Sequence, residues 1–346
     1  MSDDQPILND SVSAPSGLAK WPPVPLAARA GILLGPEGLR AGWRLLVFAV
    51  LLVGGLFASG PLLRLAHFSP RSFRDDIALS SAMLFGSALI ASGIMSCLEK
   101  YSWTDYGLPL RGPWFARFCE GIVWGLLALS LLLLLLRLHG NFDYGVAAFP
   151  GAAMIRNAVL WGVAFLLVGL AEEYTFRGYP LFTLTRGMGF WPAAVVLSVL
   201  FGAAHLNNPG ESWLGAVMAG LIGLFFCLTL RRTGSLWFAI GAHTAWDWAE
   251  TFLYGVPDSG QVAPGHLFNP SFHGSRWLTG GSVGPEGSLL ALAVVALLFV
   301  AFHFRFRPGF TTELPARSGQ VHGAGNCSEN HFHHGGTETR RDTEFR

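Results

Sequence analysis

Long apolar runs separated by short polar stretches recur along the chain, and their length decides how they read. A helix that crosses a bilayer needs about 20 predominantly apolar residues. Five runs read as spans without interruption: Leu45–Leu63, Ile77–Leu98, Gly121–Leu136, Ser212–Leu230 and Ser288–Phe304. Three more, 158–176, 191–206 and 235–254, are apolar but broken by Glu, His or Asp. The pattern predicts an all-α, polytopic transmembrane helix bundle of about eight spans with polar N- and C-terminal flanks. Four segments follow: a flank at 1–40, N-terminal transmembrane helices at 41–140, a core at 150–306 that holds the interrupted spans, and a disordered tail at 307–346. The stretch LTGGSVGPEGS at 278–288 carries glycines and a proline that stop a helix, so it marks a turn before the last span.

Composition agrees with a membrane setting. The 346 residues are 51% hydrophobic and 13% charged, about half the charged share of a soluble domain. No basic start followed by an apolar core marks a cleavable leader in residues 1–40, so the first span is expected to target the protein. The net charge of +1 gives no reason to expect nucleic acid. Lysines and arginines gather in alternate loops, among them Arg40, Arg44, Lys100, Arg111, Arg117, Arg186, Arg231 and Arg232. By the positive-inside rule both termini are cytoplasmic, and the expected location is a bacterial inner membrane. Cys97, Cys119, Cys227 and Cys327 show no paired spacing, so neither a disulfide nor a thiolate metal site is expected. The tail's HFHH tract, 331–334, reads as a His-rich tail rather than a metal site, since no second cluster closes a coordination sphere.

The informative polar residues lie where the apolar pattern breaks. AVLWGVAFLLVGL at 158–170 has no charge, and AEEYTFRGYP follows at once. If the helix ends there, its charges meet water; if it continues, they sit at membrane depth, where each costs about 2.5 to 3.5 kcal/mol on insertion scales. Spans four to seven hold Glu172, Glu173, Arg177, His205, His243, Asp247 and Glu250, and such groups must pair or line a wet cavity. Glu173 and Arg177 are four apart and form a local ion pair, which suffices as a structural role for both. Glu172 lies about 100° round the helix and has no local cation. His205, taken alone, reads as a partner of a helix C-terminus. His243 and Asp247 share one helix face; the plain reading is an Asp that fixes a buried imidazole, and a hydrolytic site uses the same arrangement. Two imidazoles and two carboxylates on three helices suffice to hold and activate a water.

EExxxR (Glu172, Glu173, Arg177), FxxxH (Phe201, His205) and HxxxD (His243, Asp247), in this order on successive hydrophobic helices, resemble the three motifs of the CPBP family. These are CAAX-prenyl-protease and bacteriocin-processing membrane proteins, also called the Abi or type II CAAX endopeptidase family. The resemblance covers roughly residues 155–255 and implies an intramembrane endopeptidase, with 150–306 as its catalytic core. It implies that Glu172 activates water, that His205 helps hold it, and that His243 and Asp247 polarise the scissile carbonyl or bind metal, Glu173 and Arg177 completing the first motif. A divalent metal such as zinc on Glu172, His205, His243 and Asp247 is the expected cofactor, and water activated by Glu172 alone is the alternative. An ionised Asp247 accepts but does not donate hydrogen bonds, so it suits a ligand or an orienter of His243 better than an oxyanion donor. Expected partners are a peptide or membrane-protein substrate, prenylated or not, and the lipid bilayer. The competing readings are an inactive immunity or scaffold protein of the same fold and a transporter, which would show paired broken helices in two halves. The four motif side chains are expected to converge on one polar cavity that opens toward the inner face.

Overall fold

The structure is a computed structural model that describes residues 34–35, 38–65, 67, 69–147 and 151–307. The two expected flanks, with the HFHH tract and Cys327, lie almost wholly outside the described residues. The elements that cross the bundle are α1 (Ala41–Leu65), α2 (Phe73–Glu99), α3 (Trp114–Leu138), α4 (Ala152–Arg177), α6 (Phe190–His205), α7 (Trp213–Thr233), α8 (Trp237–Trp248, continued by a π-helical turn Ala249–Tyr254) and α10 (Leu289–Arg305). A short helix, α5 (Tyr179–Met188), lies between α4 and α6, and one turn, α9 (Arg276–Thr279), precedes the last span. Strands are confined to two small antiparallel pairs, β1 (Leu34–Gly35) with β2 (Gly38–Leu39) and β3 (Phe142–Asp143) with β4 (Ser271–Phe272). The described residues form the expected all-α, polytopic helix bundle.

Local chemistry sets the helix ends. Ser72, Ser212 and Ser288 each accept a backbone N–H from the first turn of α2, α7 and α10, and Lys100 and Gly234 close α2 and α7 in the left-handed conformation. Five of the helices are long and apolar enough to cross a membrane. Their outward faces are apolar too: Phe57, Leu98, Leu127, Val199 and Phe304 all lie exposed. A water-soluble protein does not present such a continuous apolar surface, so the bundle is embedded in lipid. In its most apolar stretch α1 is 6% buried and α7 56%, which places α1 at the lipid-facing edge and α7 inside.

Lipid removes most of the hydrophobic drive between helices, so close van der Waals approach must bind them. Small residues provide it where α3 packs along α8. A Cβ on Gly121 would lie 2.1 Å from the Phe238 carbonyl oxygen, one on Gly125 2.2 Å from that of Ala242, and one on Gly241 2.2 Å from that of Phe118. Gly121 and Gly125 form a GxxxG step.

Successive spans alternate in direction, and loop contacts define two faces. On one, Leu236 N–H donates to the Gly107 carbonyl, the Trp237 indole donates to the Pro109 carbonyl, and Glu99 receives both Arg44 and Arg186. That face therefore carries the start of α1, loop 100–113, α5, loop 231–236 and the end of α10. On the other, β3 pairs with β4 and Gly260 N–H donates to the Val283 carbonyl, while Gly260 packs against Pro209 and Gly210. That face carries loops 139–151, 206–212 and 255–288.

The close α3–α8 approach predicts that Gly125→Ala lowers stability by about 1–3 kcal/mol, the usual cost of overpacking. Gly93→Ala in α2, where a Cβ meets nothing within 4 Å, should leave stability unchanged or slightly raised. Thermal unfolding of both variants in detergent measures the difference.

Candidate active site

Helix α4 runs through the charged stretch and ends only at Arg177, where Gly178 and Pro180 break it. Glu172 and Glu173 are therefore inside the bundle rather than at a helix end. A rotation of about 100° round α4 sets them apart in environment. The Glu173 side chain is 0% exposed and the Glu172 side chain 30% exposed.

Glu173 is the hub of the arrangement. Its Oε1 accepts from Arg177 Nη1 at 3.0 Å and from His243 Nδ1 at 2.9 Å. The local ion pair expected from the spacing is present, but the second bond reaches across to α8, and so Glu173 is more than the partner of Arg177. Because a carboxylate only accepts, His243 Nδ1 carries its proton, and the ring is held with Nε2 facing away from Glu173. Phe226 stacks on that ring at 5.8 Å between centroids. Nε2 then faces two carboxylates, Asp247 Oδ2 at 3.4 Å and Glu172 Oε2 at 3.7 Å. Glu173 thus holds the Nδ1 side of the ring while Asp247, the expected orienter, faces Nε2.

Arg177 links the first motif to the second. Its guanidinium sits 4.0 Å over the Phe201 ring, and a Cβ on Gly223 would come 2.4 Å from Nη2, so only glycine leaves room for it there. A desolvated cation over an aromatic face is stabilised by about 2 kcal/mol. Phe201 in turn meets His205 edge to face at 4.6 Å, and His205 Nδ1 donates to the Phe201 carbonyl at 2.8 Å. That bond fixes the His205 proton on Nδ1 in the neutral ring and leaves the Nε2 lone pair available.

Glu172, His205, His243 and Asp247 all line one cavity of about 200 Å³, room for several waters. Phe73 and Ile77 at the start of α2, Asn208, Ser259 and Gln261 line it as well. These belong to the face of loops 206–212 and 255–288, so the cavity opens there. The expectation of a mouth on the face that carries the termini is corrected: α1 starts and α10 ends on the opposite face. His205 marks the difference, because it closes α6 at the end nearest loop 206–212 while Glu172 lies deeper.

Two distances around His243 have the size that ligands of one ion show, but among the described residues the acids and histidines whose ligand atoms all come within 4.8 Å of one another are Glu250, Asp258 and Glu286, not the motif side chains. Ligands at about 2.1 Å from a tetrahedral ion lie about 3.4 Å apart, close to the separations of Nε2 from Asp247 and Glu172, and the carboxylate behind Nδ1 is the usual support of a metal-bound imidazole. A proton on Nε2 satisfies the same geometry.

Three carboxyls escaped the sequence reading as parts of one site. Glu250, in the π-helical turn, and Asp258 and Glu286, in the following loop, bring ligand oxygens within 4.8 Å of one another beside Asp247. Burial, then the neighbouring Asp258 charge, pushes Glu286 up to about 7; burial, then Asp247, raises Asp258. Glu250 was visible as an intramembrane acid, whereas the other two lie in a Gly- and Pro-rich segment with no periodicity to place them.

Residues 154–249 match the family model of Rce1-like type II CAAX prenyl endopeptidases. No curated protein matches the chain. The matched segment contains all three motifs and ends before Glu250, and it upholds the resemblance to the CPBP family drawn from them.

The buried pair predicts a characteristic double-variant result. Arg177→Met leaves Glu173 with one partner and should cost about 3–5 kcal/mol of stability, whereas Glu173→Gln with Arg177→Met should cost clearly less. Chemical unfolding of the single and double variants in detergent measures both.

Proposed function

We propose that this chain is an intramembrane endopeptidase that hydrolyses a peptide bond of a membrane-associated substrate, with Glu172 as the general base. One observation carries the reading: a partly exposed carboxylate, Glu172, shares a cavity with an imidazole whose far nitrogen is held by a second, fully buried carboxylate. Glu172 takes a proton from water, and the Nε2 lone pair of His205 accepts the water's other hydrogen and holds it against the base. His243, held by Glu173, presents Nε2–H to the carbonyl oxygen as negative charge develops, while the Asp247 carboxylate balances the imidazolium. The proton on Glu172 then passes to the leaving amine. A divalent cation such as zinc would be held by His243, Asp247 and Glu172 with His205 only after these side chains draw closer together, and would then supply Lewis-acid polarisation of the carbonyl.

The face that carries the start of α1 and the end of α10 also carries Arg40, Arg44, Lys100, Arg111, Arg186, Arg231 and Arg232. With that face cytoplasmic in a bacterial inner membrane, both termini are cytoplasmic and the cavity opens on the other side. The substrate is then a peptide or membrane-protein terminus exposed there, rather than a prenylated tail arriving from the cytoplasm. A prenylated peptide tests that distinction.

Cleavage of a labelled prenylated peptide and of an unmodified peptide library by the full chain in detergent tests the activity. Glu172→Gln should lower the rate by about 10²–10⁴, the usual contribution of a positioned base. Activity lost in chelator identifies a cation in the reaction; activity kept there assigns it to carboxylate-activated water. In sealed vesicles, substrate supplied from the side of loops 206–212 and 255–288 should be the one cleaved. A folded wild-type protein that cleaves no peptide contradicts the proposal and favours a scaffold of the same fold.

A further inference from the structure

We propose that Glu250, Asp258 and Glu286, outside the three motifs but with Asp258 on the wall of the same cavity, form a cation site built for a hard divalent ion of calcium's class. Two independent observations support it. The three carboxylates, from the end of α8 and from both ends of the loop that follows it, bring ligand oxygens within 4.8 Å of one another, close enough for one ion to touch all three. Glu250, 0% exposed, directs a carboxylate into that cluster with no hydrogen-bond partner for either oxygen among the described residues. The Trp246 indole one turn earlier is directed toward it but falls outside hydrogen-bond geometry.

The other two acids each have one donor. Thr251 Oγ1 donates to Asp258 Oδ2 at 3.1 Å, and the Ser259 N–H donates to Glu286 Oε1 at 2.7 Å. Those bonds aim the carboxylates and leave their remaining oxygens for a shared partner. Three carboxyls, which offer only oxygen, suit a hard cation and not the nitrogen and sulfur preference of zinc, and an ion that binds there displaces their protons. A proton serves one pair of oxygens at a time, whereas a divalent ion contacts all three carboxylates at once.

Position gives the site a role. Glu250 is on the turn that prolongs α8, Asp258 begins the following loop, and Glu286 sits just before α10. Gly260 N–H to the Val283 carbonyl at 2.9 Å already ties the two ends of that loop. An ion at the junction would clamp them where Ser259 and Gln261 wall the cavity, and so hold the mouth beside Asp247 in shape. Glu250, Asp258 and Glu286 all lie beyond the segment matched by the family model, which ends at residue 249.

Equilibrium dialysis of the full chain in detergent against Ca²⁺, with thermal unfolding in Ca²⁺, Mg²⁺, Zn²⁺ or EDTA, tests the site without reference to peptide cleavage. The expected result is one Ca²⁺ bound per chain and an unfolding temperature several degrees higher than in EDTA. Glu250→Gln and Glu286→Gln should each abolish that rise, and either variant suffices if the other does not fold. Glu172→Gln should retain the rise. No binding or stabilisation of the wild type by Ca²⁺ overturns the proposal and leaves protons as the neutralising species. A rise that survives both cluster variants, one that vanishes in Glu172→Gln, or one seen with Zn²⁺ alone also overturns it, because the ion then sits elsewhere or is of another class.

Discussion

A single carboxylate oxygen, Glu173 Oε1, holds the candidate site together by accepting from Arg177 and His243 at once. It joins α4 to α8 with a side chain that is 0% exposed, as is that of Arg177. The first bond neutralises a buried guanidinium; the second fixes which nitrogen of His243 carries the proton and where the other nitrogen points. Removing that oxygen would free both groups together. Glu172, one residue earlier and partly exposed, is left to face the cavity.

The three short motifs then share one physical cause. Arg177 is four residues after Glu173, which returns its guanidinium to the same helix face, where it also covers the Phe201 ring. Phe201 is four residues before His205, so that its carbonyl fixes the second imidazole. His243 and Asp247 repeat the spacing on α8, with Phe226 of α7 against the ring. Each four-residue step places a reacting or charged group one helical turn from the group that holds it. Ion pair, ring face and backbone carbonyl each supply part of what water would supply at a surface.

Much of this was legible in the sequence, and the misses have specific causes. Apolar runs marked the helices of the bundle, five of them long enough to span a bilayer, because the membrane leaves few alternatives for a chain of that pattern. The short helix α5 was not anticipated, since ten residues after Gly178 read as part of a loop. Spacing on one helix found the Glu173–Arg177 pair, yet the bond to His243 spans seventy residues and leaves no periodic trace. The same limit hid Asp258 and Glu286, which meet Glu250 only through a folded loop. The cavity mouth was assigned to the wrong face because Glu172 was placed by its nearness to the end of α4, whereas the cavity runs along α4 from the opposite face, past Trp161 and Val168, down to it.

The claim that Glu172 and His243 act as one catalytic unit is tested most directly by the peptide-cleavage kcat/KM of Glu172→Gln, His243→Gln and the double variant. Groups that act on the same bond in the same step are strongly non-additive, so each single variant should lose about as much as the double. Losses that add, or a His243→Gln protein that retains wild-type cleavage, would contradict a shared site built on the Glu173 contact.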